Sequence, residues 1–177
     1  MGFVPDELDA TSWEQLEPLY EDLATRSLDD VEQLELLIKD ESELREWVSE
    51  AGSRLYVSMT CSTNDEKKKS AYLDFVEQVE PKLSAIGDKL NRRIIESPAL
   101  DKLDSETYEI IIRDIRADIE IFREENIPLR TELTKLGQQY EEICGSMMVT
   151  FDGEERTMQQ MGKFLQVTDR ETREKAW

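Results

Sequence analysis

The sequence predicts an all-α fold: long antiparallel helices in a bundle, with a short hairpin near residues 148–157. Three observations lead there. Apolar residues recur at steps of three and four almost throughout, the spacing of a helix with one buried face. Charged residues make up 36% of the chain against 38% hydrophobic, the mix of helices with one solvated side. Turn formers are scarce, with 7 Gly and 5 Pro in 177 residues.

Taken in order, Ser12 reads as an N-cap, followed on one face by Trp13, Leu16, Leu19, Tyr20 and Leu23. Ser27 reads as the cap of a second helix, with Asp29 and Asp30 in its first turn, where the helix dipole favours acids. Its stripe runs from Leu28 and Val31 to Leu55, Tyr56 and Met59. Unbroken to Ser62, such a helix would be ~50 Å long. Lys39–Ser42 interrupts the stripe and is expected to be exposed. Gly52 weakens the helix by about 1 kcal/mol relative to Ala without stopping it. Ser62-Thr63-Asn64-Asp65 reads as a turn and cap.

The third stripe holds Ala71, Tyr72, Phe75, Val76, Val79, Leu83, Ile86, Leu90 and Ile94. Pro81 should kink it, and Ser97-Pro98 ends it. From Ser105 the pattern resumes with Tyr108, Ile111, Ile112, Ile115, Ile119 and Phe122. Asn126-Ile127-Pro128-Leu129 reads as a stop and corner. Thr131 then restarts a helix lined by Leu133, Leu136, Tyr140, Ile143, Cys144 and Met147. Val149 and Phe151 alternate with polar residues before Asp152-Gly153, a tight-turn pair. Thr157 opens a short helix with Met158, Met161 and Leu165, and Thr168-Asp169 caps a last one, Arg170–Trp177. This divides the chain into a helical bundle, 1–147, and a hairpin plus short helices, 148–177.

Composition excludes much chemistry. Without a single histidine there is no Ser-His-Asp triad, no Cys-His pair and no His-ligated zinc. No P-loop or Gly-x-Gly-x-x-Gly occurs. Carboxylate pairs at helical spacing (Glu32/Glu35, Glu43/Glu46, Glu77/Glu80, Glu106/Glu109) read as solvated faces. Catalytic, cofactor-binding and metal-binding residues are therefore expected at no position. Cys61 and Cys144 are too few for a disulfide framework and read as buried thiols in a reducing compartment. The formal net charge is −19, which argues against nucleic acid as a partner. Residues 1–60 carry 16 acidic against 4 basic side chains. No apolar run approaches the ~20 residues of a bilayer span, and the N-terminus lacks a signal-peptide pattern. A soluble, cytoplasmic chain without a membrane partner is the expectation.

Several strings, in order, resemble the N-terminal region of the oligoendopeptidase F family of zinc metallopeptidases, relatives of thimet oligopeptidase. They include Trp13-Glu14-Gln15-Leu16, Leu55-Tyr56-Val57-Ser58-Met59-Thr60-Cys61 and Ala71-Tyr72-Leu73-Asp74-Phe75. Phe122-Arg123-Glu124-Glu125-Asn126-Ile127-Pro128-Leu129, Phe151-Asp152-Gly153-Glu154-Glu155 and Asp169-Arg170 with Arg173-Glu174-Lys175-Ala176-Trp177 complete the set. The resemblance implies a helical domain that precedes a catalytic domain and covers one side of a channel for short peptides. Zinc would sit in that catalytic domain on a His-Glu-x-x-His motif, of which this chain carries nothing. The partners implied are the catalytic domain of the same parent chain and, in the full enzyme, short peptide substrates. A piece of a peptidase ending in mid-helix at Trp177 is the first expectation; a stand-alone helical interaction or scaffold protein is the alternative. The piece is further expected to expose an apolar patch around Trp177 and Met147–Met161.

Overall fold

The computed structural model describes residues 2–62 and 65–177. The chain forms two compact units, the first running to Thr131 and the second covering Glu132–Trp177. All-α architecture with one small hairpin is what the periodicity predicts and what is found.

The first unit is built from α1 (Trp13–Thr25), α2 (Val31–Thr60), α3 (Glu66–Gln78), α4 (Glu80–Ile95) and α5 (Ser105–Ile121). A single 3-10 turn, Leu100–Lys102, lies between α4 and α5. α4 packs against α1, α3 and α5, and α2 packs against α1 and α3. Fully buried leucines and isoleucine from three helices form the centre: Leu16 and Leu23 from α1, Leu34, Leu37 and Leu44 from α2, Leu90 and Ile94 from α4. Each comes from the three-and-four stripe, so the hydrophobic spacing alone positions them.

Several boundaries differ from the sequence expectation. Asp30, not Ser27, caps α2: its carboxylate accepts from the Gln33 amide at 2.9 Å. The Ser27 hydroxyl instead donates to Asp29 at 2.5 Å. Of the expected turn at 62–65, Thr63 and Asn64 lie outside the described residues, while Asp65 accepts from the amides of Lys67 and Lys68 at the start of α3. Pro81 does not kink one long helix. The chain stops at Gln78 and restarts at Glu80, with Pro81 in the first turn of α4, where its missing N–H has no partner to lose. Pro128 behaves likewise. The expected corner at 126–129 is the first turn of α6 (Asn126–Ser146).

The second unit carries most of α6 and the hairpin of β1 (Met148–Phe151) and β2 (Glu154–Thr157), paired antiparallel with Phe151 opposite Glu154. Asp152 and Gly153 both have positive φ, 52° and 81°, the backbone of a two-residue type I′ turn. Thr157 ends β2 and caps α7 (Met158–Met161) in a reciprocal capping box with Gln160. A 3-10 segment, Gly162–Gln166, leads to α8 (Arg170–Ala176), whose cap Asp169 accepts from the Thr172 amide at 2.8 Å. Phe151 and Phe164 meet at 4.7 Å between ring centres, with the Arg156 guanidinium 4.9 Å from the Phe164 ring.

Candidate functional site

The first unit contains a cleft of about 410 Å³ where α1, α2, α4, α5 and the start of α6 converge. Val48, Leu83, Ile121 and Phe122 give it apolar walls; Tyr20, Glu41, Arg45, Asp88, Asn91 and Asp118 bring polar groups to it. Glu41 is 7% exposed, although its place in the Lys39–Ser42 gap predicted exposure. It survives burial through Arg45 one turn on, whose Nε donates to it at 3.0 Å and whose Nη2 also bonds it. Asp40, in the same gap, is tied to Arg26 at 2.6 Å. Burial and the neighbouring Glu41 carboxylate push the Tyr20 phenol up to about 12. Tyr20 therefore enters the cleft as a neutral hydroxyl at any physiological pH.

A second group of polar residues fixes the connection between α1 and α2. Arg93 on α4 donates to the Leu23 carbonyl at 2.9 Å and also to the Arg26 carbonyl. The Ser97 hydroxyl donates to the Leu28 carbonyl at 2.8 Å and accepts from the Ala99 amide. Arg26 bonds Asp22 as well as Asp40 and lies 4.8 Å from the Phe3 ring. Further along, Glu43 accepts from the Phe3 and Val4 amides at 2.9 and 3.3 Å, holding the N-terminal segment on α2. The sequence reading of Glu43 as a solvated carboxylate missed this anchor.

Glu32, Glu106 and Glu109 are exposed as expected of solvated faces. Cys61 is exposed and Cys144 half-exposed, against the expectation of buried thiols. Among the described residues no group of three or more Cys, Asp or Glu side chains could hold a metal ion. With no histidine in the sequence, the residues of this chain do not fit a zinc site of the kind the sequence resemblance implies. No described helix is long and apolar enough to cross a membrane.

Residues 3–122 match the Peptidase M3 N-terminal domain, a stretch that holds the whole α1–α5 bundle and ends at Phe122 on the cleft. The chain belongs to this family. No curated protein sequence matches it. Its fold is that of two solved structures. One, described as an oligoendopeptidase F, superposes with a TM-score of 0.85 at 21% identity over 99% of this chain. The other, PZ peptidase A with an inhibitor, gives 0.81 at 24% identity over 98%. In both cases the chain spans 31% of the length of the solved one. The superposition runs past residue 122 to take in α6, the hairpin and α8, so the likeness of fold exceeds the family match in extent.

Proposed function

We propose that the chain is the non-catalytic helical portion of a zinc-dependent oligoendopeptidase, where it shapes and gates the channel through which short peptides reach the metal. The observation that carries this reading is the family match over residues 3–122 together with a fold shared with peptidases about three times as long. Its role is architectural. The α1–α5 bundle is tied at its loop by Arg93 and Ser97, a rigid wall rather than a reaction centre. The acidity of residues 1–60 belongs to an outer, solvated side of that wall and steers cationic peptides towards it. The catalytic domain of the parent chain is the partner, zinc is its cofactor, and the cytoplasm is the compartment.

The purified 177-residue chain is expected to bind no stoichiometric zinc by atomic absorption after dialysis and to leave quenched fluorescent peptides uncut. Chelator-sensitive cleavage by this chain alone would overturn the reading. So would a native gene that encodes no His-Glu-x-x-His segment in the same reading frame.

A further inference from the structure

Along α6 and Met147, the residue just past its end, an apolar seam stands open. Leu133, Leu136, Tyr140, Ile143 and Met147 follow one another at steps of three, four, three and four, the spacing of a helix–helix interface. Their exposures are 69, 54, 68, 64 and 49%, and none of the 21 residues of α6 is buried. Together these side chains form an exposed apolar patch of a few hundred Å², the size at which such patches on a monomer often mark an interaction surface. Leucines, an isoleucine and a methionine at this regular spacing are a packing face without its partner. The residues flanking the seam at the positions that set charge pairing between helices are Glu132, Gly137, Gln139, Cys144 and Ser146. Only Glu132, at the start of the seam, is charged, and a Cβ added at Gly137 would meet nothing within 4 Å. A close approach along the rest of this face meets no charged flank.

We infer that the α6 seam is the surface on which the remainder of an M3-type polypeptide docks, through helices with an apolar, weakly charged face. This rests on the function proposed above and adds its contact surface. Three considerations select that occupant. The solved chains sharing this fold carry roughly two thirds of their length beyond the matched part, ample material for a covering layer. A second copy is a poor fit. Even counting Leu129, exposed at 59% and four residues before Leu133, the seam covers fewer than three heptads, short of the three to four that sustain a coiled coil, and each copy carries a net charge of −19. A transient, charge-steered partner is a poor fit as well. Such interfaces place complementary charge around their apolar centre, whereas this flank offers only the Glu132 carboxylate at one end, closer to the apolar character of permanent interfaces. The sequence expectation put the exposed patch at Trp177 and Met147–Met161. Trp177 is 97% exposed and Met147, Met148 and Met158 are 49, 49 and 46% exposed, as expected, while Met161 is buried at 7%; the regularly spaced apolar row runs upstream from Met147 along α6.

Hydroxyl-radical footprinting read by mass spectrometry tests the inference, comparing the 177-residue chain with the full translation product of its gene. In the short chain Leu133, Leu136, Tyr140 and Ile143 should label heavily. In the longer product they should fall to the level of the fully buried Leu34. Ile110, exposed on α5 and off the seam, serves as the reference. Leu136→Glu should leave the thermal midpoint of the short chain unchanged and restore labelling along the seam of the long one. A longer product that cleaves peptides while its seam labels as in the short chain overturns this inference and leaves the proposed function standing. A reading frame that stops at Trp177 overturns both. Protection that appears in the short chain as its concentration rises assigns the seam to a second copy and overturns the inference.

Discussion

Tyr20 shows how much one buried phenol governs. Its ring stacks near Trp13, 6.2 Å between centres, and its hydroxyl is withdrawn from solvent near Glu41 and Arg45. The anion would be poorly solvated there, so the folded chain holds the proton up to about 12 against 10 when unfolded. Because the folded value is raised, the contribution to stability is fully present below pH 10 and is lost as pH climbs from about 10 to 12. The loss amounts to about 3 kcal/mol. Urea melts of wild type and Tyr20→Phe at about pH 9 and about pH 11.5 check this. The variant should lose markedly less stability between the two conditions, and parallel losses would contradict it. At this scale the sequence was partly legible. The sequence marks Asp169 as a cap and Asp30 only as a first-turn acid behind Ser27, and does not single out Asp104, though each caps a helix; hydrogen bonds from Thr107 and Thr172 hold the Asp104 and Asp169 carboxyls below their usual range. Asp40, Glu41 and Glu43 were not legible. Their burial depends on Arg26, Arg45 and two backbone amides, and Arg26 and those amides lie 14 to 40 positions away.

Elements followed their periodicity, and the errors fell at the start of α2, capped by Asp30 rather than Ser27, and at proline. A proline inside a stripe is compatible with a kink or with a helix restarting around it. The local pattern does not separate these, because Leu83, Ile86 and Leu90 continue the stripe either way. What decides is packing: the break at Val79 lets α3 lie against α2 while α4 reaches α1 and α5. Gly52 has its reason at the same level. A Cβ there would sit 2.9 Å from Cε1 of the buried Phe75, so the glycine lets α3 approach α2. Gly52→Val should therefore destabilise by about 1–3 kcal/mol through overpacking, despite the better helix propensity of valine. Circular-dichroism melts measure it, and recovery in the double variant with Phe75→Leu ties the cost to that contact. The hairpin was legible because Asp-Gly supplies two left-handed residues in a row, and α6 was legible as a stripe but not as an exposed one. An apolar stripe states that a face wants a partner; it does not state that the partner lies within the same 177 residues.

For the molecule as a whole, the bundle of the first unit is closed by contacts between residues far apart in sequence. Ser97 and Arg93 reach the carbonyls of Leu28, Leu23 and Arg26 across 67 to 70 positions, and nothing in the local pattern announces such a tie. Ser97→Ala should cost about 1–3 kcal/mol, since the Leu28 carbonyl is left buried without its donor. Arg93→Met should cost a similar amount by stripping two carbonyls at once. Urea unfolding at neutral pH measures both, and changes within about 0.5 kcal/mol, the range of ordinary surface substitutions, would show the tie to be ornamental.

That tie also sets an order of events during synthesis. The hydroxyl that holds the Leu28 carbonyl is made 69 residues after it, a delay of about 3–14 s at ordinary elongation rates. During that interval α2 follows α1 out of the ribosome, their connection unlatched and their leucines without α4 to cover them. The first-made part of the chain is thus the part that waits, open to proteases and chaperones, until Arg93 and Ser97 emerge to lock it.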